Sequence, residues 1–190
     1  MIEHVAAVFG VLAVYLSARE KILSWPTALV NVGLYAIVFR DQRLYADMGL
    51  QVVYFVLSLY GWYEWRFGGA QRTPLPVTRL SARHGLTLLA LNLVAWVSLG
   101  SWLDRSTDAA LPWLDALLST TSLCAQFLMT RKVLENWIVW IVLDLVYVPM
   151  FLSRGMVTTA VLYAVFLVLA VLGWRSWRAS WHSPGAPQPS

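Results

Sequence analysis

The sequence is poor in charged residues, which make up only 13% of its 190 positions. Soluble domains carry about a quarter of their residues as Asp, Glu, Lys or Arg. Hydrophobic residues instead reach 59%, and the mean hydropathy is +0.62. A soluble chain of this length could not bury so much apolar surface, so the composition predicts that a lipid bilayer is the solvent.

Cysteine and histidine are also scarce, and their scarcity excludes several kinds of site. Cys124 is the only cysteine, which excludes a disulfide framework and a thiolate metal site. The three histidines lie near predicted helix ends or in the tail, so axial haem ligands inside a helix are not expected. No Gly-x-Ser-x-Gly run or pair of carboxylates within one span supplies a catalytic group. We therefore predict no enzyme activity, no metal and no cofactor.

Basic residues outnumber acidic ones by 14 to 10, but they cluster between apolar segments. That distribution predicts membrane topology and does not suggest a nucleic-acid partner. The start of the chain lacks the cationic region of a signal peptide, so we expect the first apolar stretch to remain as a spanning helix.

An internal repeat organises the chain, because residues 13–66 are echoed at 125–178 without a gap, at a constant spacing of 112. Roughly a quarter of the aligned pairs are identical, including paired Trp and Arg residues that rarely match by chance. The identities include Arg19/Arg131, Trp25/Trp137, Tyr35/Tyr147 and Phe39/Phe151. Repeats within a hydrophobic chain are typical of transporters that build a binding site near the middle of the membrane.

Apolar windows separated by charged or turn residues predict seven helices. They cover residues 3–18, 25–40, 44–63, 84–103, 112–130, 136–152 and 156–177. A three-helix unit starts and ends on opposite faces of a membrane, so its repetition in the same orientation needs one extra crossing. The predicted fold is thus an all-α integral membrane protein with seven transmembrane helices, arranged as three, one and three in parallel repeats.

The same reasoning divides the chain into five parts. We predict a first three-helix bundle at 1–66, a cytoplasmic loop at 67–83, a linker transmembrane helix at 84–103, a second three-helix bundle at 110–178 and a disordered tail at 179–190. Ten Lys and Arg residues fall on the side of the 67–83 loop and four on the other. This asymmetry predicts an outside N-terminus and a cytoplasmic C-terminus.

The sixth helix carries the most informative polar side chains, at residues 137, 140, 144 and 147. Trp137, Trp140, Asp144 and Tyr147 are spaced so that they share one helical face. A carboxylate in hydrocarbon costs ~3 kcal/mol or more unless it is paired, hydrated or facing a cavity. Asp144 is therefore predicted to bind a ligand or to gate a path, the alternative being a structural hydrogen bond to a neighbouring helix.

Other polar side chains at membrane depth are weaker candidates for substrate binding. They are Trp25, Asn31 and Tyr35 in the second helix, Gln51 and Tyr54 in the third, and Gln126 in the fifth. Asp47 shares a face with Gln51, but it lies near a helix start and can simply complement the helix dipole. Indole faces with amides, phenols and one carboxylate suit a flat, polar or cationic ring that carries hydroxyls.

The run from Glu135 to Asp144 resembles the E-x-W-x-x-W-x-x-x-D pattern of the PnuC family of vitamin transporters. The first half, with Trp25, Asn31, Tyr35 and Gly61-Trp62-x-x-Trp65, resembles the first repeat of that family. The resemblance covers about residues 1–178. It implies the seven-helix architecture of SWEET sugar transporters, a homotrimer, and a place in the bacterial cytoplasmic (inner) membrane.

The resemblance also implies a function. The usual substrate of the family is nicotinamide riboside, and relatives carry thiamine or riboflavin. Uptake would proceed by facilitated diffusion with alternating access, and a cytoplasmic kinase would trap the vitamin by phosphorylation. By motif match, Trp137, Trp140 and Asp144 would bind substrate or gate the path. The prediction for Gln51, Tyr54 and Gln126 depends only on the polar stripes of their helices.

Two alternatives remain at the level of sequence. Asp144 allows proton coupling, since carboxylates within spans recur in proton relays. The chain could also be a substrate-capturing subunit of a larger uptake complex. Polar candidates do not repeat, because Asn31 aligns with Leu143 and Asp144 with Val32. We therefore expect the repeat to provide the scaffold and its mismatches to provide specificity for an asymmetric ligand.

Overall fold

A computed structural model describes residues 2–41, 45–107 and 111–182, and it describes the side chains of these ranges except 45–47. Residues 179–181 of the predicted disordered tail are helical, and the tail from Ser183 onward lies outside these ranges. Within them the chain forms seven α-helices and one short 3-10 turn at Ala70–Arg72. The α-helices are α1 (Ile2–Ala18), α2 (Ser24–Asp41), α3 (Tyr45–Phe67), α4 (Ala82–Ser106), α5 (Pro112–Thr130), α6 (Asn136–Ser153) and α7 (Val157–Trp181).

All seven predicted helices are present, but α3, α4 and α7 extend several residues beyond the predicted ends. Hydropathy windows stop at charged residues, whereas the backbone continues its hydrogen bonding through them. At the start of α4, the Ser81 hydroxyl accepts a hydrogen bond from the backbone N–H of His84 and caps the helix. The α6 helix continues through Pro149 to Ser153.

Three of the helices, α4, α6 and α7, are long and apolar enough to cross a membrane by length and composition. The apolar α1 is slightly shorter, at 17 residues. Polar and charged residues lower the hydropathy of α2, α3 and α5. The fold is therefore all-helical, with several helices suited to a bilayer.

Among the described residues, helices that follow each other in the chain pack together except α3 and α4, and two further contacts join the halves. The α2 helix packs against α1 and α3, and α6 packs against α5 and α7. The α4 helix packs against α5, where the Asn92 amide donates to the Thr121 hydroxyl over 3.2 Å. Contacts of α1 with α7 and of α3 with α5 join the first three helices to the last three.

The main hydrophobic core lies at one end of the molecule, which we call the basic end. It comprises the turns 19–23 and 131–135 and the segment 68–81, together with the helix ends that flank them. Four buried indoles form a chain there, with ring centroids 5.2 Å apart for Trp25 and Trp65, 5.6 Å for Trp65 and Trp177, and 5.4 Å for Trp177 and Trp137. We call these residues the tryptophan chain.

Contacts in the tryptophan chain obey the 112-residue spacing of the sequence. The Trp65 indole donates to the Met129 carbonyl over 3.0 Å, and the Trp177 indole donates to the Ser17 carbonyl over 2.9 Å. Each half of the chain thus gives an indole N–H to the equivalent carbonyl of the other half. This exchange holds the two halves together at the basic end.

Glycine is required where the outer two indoles meet the neighbouring helices. A Cβ atom added at Gly61 would overlap the Trp25 ring, and one added at Gly173 would overlap the Trp137 ring. These two glycines are also equivalent at the 112-residue spacing. The shared Gly-Trp end of both repeats therefore has a packing explanation, because only glycine admits the indole so close to the helix axis.

The segment 68–81, which we call the strap, crosses the basic end between α3 and α4. Leu75 and Val77 are buried against the tryptophan chain. Thr78 forms a parallel bridge with Val133, through backbone hydrogen bonds of 3.1 and 2.9 Å to the flanking residues Lys132 and Leu134. The predicted loop is therefore anchored to the second half of the chain.

Candidate functional site

Asp144 occupies the middle of α6, where it is the ninth of 18 residues. Its side chain is buried, with 3% of its surface exposed, and it forms no ion pair within the described ranges. Neighbouring Leu143 packs in a core cluster that Trp140 and Tyr147 border. A buried carboxylate without a cationic partner is costly, so this position is under a constraint other than packing.

Phenols from its own helix and from α7 lie close to this carboxyl group. Tyr147 follows Asp144 by one helical turn, and its ring contacts that of Tyr163 at 4.6 Å. The Tyr54 hydroxyl shares a 2.5 Å hydrogen bond with the Ser122 hydroxyl, which links α3 to α5. Side chains of α3, α5, α6 and α7 thus converge near the middle of the helices.

Aromatic rings continue this group toward the end opposite the basic end. Tyr147 stacks on Phe151 at 5.8 Å, and the repeat-equivalent pair Tyr35 and Phe39 stacks at 5.7 Å. Tyr163 contacts Tyr147 at 4.6 Å and Phe151 at 5.1 Å. The result is a wall of packed aromatic rings that begins one turn from Asp144 and suits the face of a planar heterocycle.

Asn31 uses part of its hydrogen-bonding capacity within the protein. Its amide nitrogen donates to the Ala6 carbonyl over 2.7 Å and joins α2 to α1. A Cβ atom at Gly10 would lie 3.0 Å from that nitrogen and 3.6 Å from the Phe166 ring. Asn31 therefore sits near Phe166, in the contact between α1, α2 and α7.

The predicted site residues fall into two groups at different heights. Trp25 and Trp137 belong to the tryptophan chain, where each is buried. Tyr147 belongs to a mid-depth group with Asp144, which also includes Tyr163, a residue that was not predicted. Trp140 borders both the tryptophan chain and the Asp144 cluster, so it connects the two groups.

Gln51 and Gln126 have less definite surroundings. Gln51 lines a notch of about 130 Å³ between α2 and α3, beside Val32 and Gly33. Gln126 lies in α5 on a half-buried part of the surface, one turn beyond Ser122. Neither amide makes a hydrogen bond with the part of the chain that the structure describes, so neither has a structural explanation.

Sequence reasoning missed Tyr163 and Phe166 of α7. Both lie in a strongly apolar helix, and no polar face of that helix predicts a binding site. One signal was available, because Tyr163 aligns with Gln51 at the 112-residue spacing. The alignment of the Tyr163 phenol with the Gln51 amide is a mismatch between the repeats, as is the alignment of Asp144 with Val32.

Comparison with known proteins places the chain in a family. Residues 1–179 match the family model described as nicotinamide mononucleotide transporter. The chain is 29% identical to the nicotinamide riboside transporter PnuC of Escherichia coli K12, over 93% of this chain and 84% of that protein. It is 30% identical to PnuC of Neisseria mucosa, over 93% of this chain and 71% of that protein.

A relative with a different substrate and a solved structure complete the comparison. The riboflavin/roseoflavin transporter RibM of Streptomyces davaonensis is 27% identical, over 92% of this chain and 83% of that protein. A crystal structure of the vitamin B3 transporter PnuC superposes with a TM-score of 0.74 at 28% identity, over 94% of this chain and 80% of that one. The chain belongs to the nicotinamide mononucleotide transporter family, and it is therefore a PnuC-type multi-pass membrane transporter and not an enzyme.

Proposed function

We propose that the protein takes up nicotinamide riboside by facilitated diffusion with alternating access around a mid-depth site. The pyridinium ring would lie against the aromatic wall of Tyr147, Phe151 and Tyr163, and the Asp144 carboxylate would accept hydrogen bonds from ribose hydroxyls. Trp140 would cover the ring on the side of the basic end. Phosphorylation of the vitamin in the cytoplasm would make the uptake unidirectional.

One observation carries this proposal: Asp144 is buried at the centre of α6, without an ion-pair partner in the described ranges, one turn from the packed rings of Tyr147 and Tyr163. A positively charged ring with hydroxyls satisfies both the carboxylate and the ring faces. The PnuC relatives of Escherichia coli and Neisseria mucosa supply the specific vitamin, since both are nicotinamide riboside transporters.

We further propose the parallel three-one-three arrangement, with the domain limits predicted above and an architecture like that of SWEET transporters. The excess of Lys and Arg at the basic end favours a cytoplasmic location for that end, with the N-terminus outside the bacterial inner membrane. The apolar surface of α4 remains exposed, including Leu86 at 67% and Val94 at 66%. That surface suits lipid and the neighbours of a homotrimer.

Riboflavin is the second candidate substrate, because the RibM relative covers nearly the whole chain at 27% identity. An isoalloxazine ring is larger and uncharged, so it would gain less from the Asp144 carboxylate. Thiamine remains a third candidate on chemical grounds, since it also carries a cationic ring.

Quenching of intrinsic fluorescence tests the substrate and the site together, because the protein contains 11 tryptophans. Nicotinamide riboside, thiamine and riboflavin are titrated separately into purified protein. We expect Asp144→Asn to weaken binding of the tightest ligand by about 10- to 100-fold, the loss of a hydrogen bond to a charged group. Trp140→Ala should weaken it by about 3- to 30-fold through lost ring contact.

Matched variants control for general damage to the protein. Asp104→Asn and Trp102→Ala make the same changes at exposed positions of α4, and they should leave affinity unchanged. Unchanged affinity of the Asp144 and Trp140 variants would place the site elsewhere. A tightest ligand other than nicotinamide riboside would keep the site and correct the substrate.

Uptake into proteoliposomes by purified protein alone tests the mechanism. Accumulation to equilibrium without an imposed gradient is the expected result. Dependence on a pH gradient would instead assign proton coupling to the protein. Binding without uptake would indicate a substrate-capturing subunit that needs a larger complex.

A further inference from the structure

The basic end contains an ion pair between the two halves of the chain at equivalent positions. The Lys132 ammonium lies 2.7 Å from the Glu20 carboxylate, and residues 20 and 132 are related by the 112-residue spacing. Both residues have left-handed backbone conformations, with φ of 55° and 54°. Two equivalent side chains that touch each other lie on the line that relates the halves, so this pair marks the centre of the basic end.

We propose that this ion pair, the tryptophan chain and the strap together form the gate at the basic end, which must part to release the substrate there. The inference rests on the proposed transport function. The contacts that would break to open the exit are separate from those of the mid-depth site. None of the gate residues needs to touch the vitamin while it is bound at Asp144.

Lys132 ties the three components of the gate into one unit. Besides Glu20, its ammonium donates to the Leu75 carbonyl of the strap over 3.1 Å and lies 5.1 Å from the centre of the Trp65 ring. The side chain is largely buried, so these contacts are not strongly screened by solvent. Separation of the halves must therefore break the contacts of Lys132 to Glu20 and Trp65, while its hydrogen bond to the strap can remain.

Four buried polar atoms lack a hydrogen-bond partner within the described residues, and all four adjoin the gate. They are the Ser24 hydroxyl, the Asn136 amide oxygen, and the indole nitrogens of Trp25 and Trp137. Residue 24 is equivalent to residue 136, and residue 25 to residue 137. Chance defects in hydrogen bonding would not occur at equivalent positions of both halves, so the missing partners are a feature of the repeat.

Unpartnered buried groups destabilise the closed gate, because water would satisfy them once the halves part. The closed gate gains from its packed indoles and its ion pair. The open gate gains from hydration of these four atoms. This opposition lets the gate occupy both states instead of locking in the closed one, as an alternating carrier requires.

Contacts around the gate differ between the halves and indicate which side moves. Arg131 forms a 2.7 Å ion pair with Glu64 and a 2.9 Å hydrogen bond with the Tyr60 hydroxyl. The equivalent of Arg131 is Arg19, but the equivalents of Glu64 and Tyr60 are Ser176 and Leu172, which cannot form these contacts. The turn 131–135 is also bound by the strap, so we expect the turn 19–23 to move away from it.

A reversible cross-link tests the gate directly. Glu20→Cys and Lys132→Cys are combined in a Cys124→Ala background and joined by a short bifunctional methanethiosulfonate. We expect uptake of the vitamin to fall by about tenfold or more and to return on reduction, while binding affinity changes by less than about twofold. The control pair Arg19→Cys and Lys21→Cys lies within one turn, so its cross-link should leave uptake unchanged.

Thiol labelling tests the same gate without relying on transport. Ala18 is 3% exposed beneath the gate, so Ala18→Cys in the Cys124→Ala background reports its opening. We expect Glu20→Gln to raise the labelling rate from the basic side by about tenfold, as the closed population falls. The exchange Glu20→Lys with Lys132→Glu should lower that rate toward the parent value, because the ion pair is restored.

Each outcome bears on one proposal. Full uptake by the cross-linked protein would contradict the proposed gate. A labelling rate of Ala18→Cys that Glu20→Gln leaves unchanged would contradict it as well. Failure of the parent protein to carry any of the three vitamins would overturn the proposed function, and the labelling rates would still decide whether the gate opens.

Discussion

Replacement of Trp177 by phenylalanine tests the exchange of hydrogen bonds between the two halves. The indole is fully buried and donates to the Ser17 carbonyl over 2.9 Å. That carbonyl also accepts a 2.9 Å hydrogen bond from the Glu20 backbone N–H, so it keeps a partner in the variant. The loss is therefore confined to one hydrogen bond and the volume of part of a ring.

The size of the effect follows from these two terms. A buried hydrogen bond contributes about 1 kcal/mol net. The missing part of the ring leaves about 40 Å³, which costs about 1 kcal/mol at the usual dependence on cavity volume. The sum of about 2 kcal/mol should lower the midpoint of thermal unfolding by about 4–8 °C for a chain of this size.

The lone cysteine provides the assay, since Cys124 is half-buried in α5 and reacts with a thiol-sensitive dye when the protein unfolds in detergent. Trp65→Phe should produce a similar shift, because its indole makes the equivalent bond to Met129. The two rings are in contact, so the double variant should deviate from additivity by about 0.5 kcal/mol or more.

Trp62 and Trp174 supply the matched control. They are also repeat-equivalent, and they are only partly buried against the same core. Trp174→Phe should shift the midpoint by less than about 2 °C, because a partly exposed ring leaves little cavity. Equal shifts for Trp174→Phe and Trp177→Phe would refute the assignment of stability to the exchanged hydrogen bonds.

Two other predictions concern packing at the basic end. Gly173→Ala should destabilise the protein by about 1–3 kcal/mol, because the added Cβ overlaps the Trp137 ring, whereas Gly33→Ala has nothing within 4 Å and should be neutral or stabilising. Leu75→Ala should cost about 2–5 kcal/mol through loss of the strap's buried anchor, and Leu86→Ala, at an exposed position, should cost much less. Thermal unfolding of both pairs checks them, and equal shifts within either pair would contradict the packing argument.

The helices could be predicted from sequence because the apolar windows and the repeat point to the same seven segments. The ends of α3 and α7 could not, since residues 64–67 and 178–181 each include an Arg and a Trp and yet remain helical. The strap was not foreseen as a packed element. Its burial depends on Leu75 and Val77 joining a core that both halves of the chain supply, and no local pattern encodes that.

Sequence reasoning could identify a site residue that is charged within an apolar helix. It could not distinguish an aromatic site residue from an aromatic residue of the core. Asp144 stands out because a carboxylate is expensive at membrane depth. The spacing places Trp137 and Asp144 on one face of α6. Residues two turns apart on that face nevertheless lie at different heights and contact different neighbours. Trp137 accordingly packs with Trp177, whereas Tyr147 packs with Tyr163.

The Glu20–Lys132 pair also determines which halves can assemble. Two copies of the first half would bring Glu20 against Glu20, and two copies of the second would bring Lys132 against Lys132, so both arrangements suffer repulsion between like charges. Only unlike halves place acid against base. If the chain were cut between α4 and α5 and the pieces produced together, they should associate as a heterodimer, and neither piece should pair with itself.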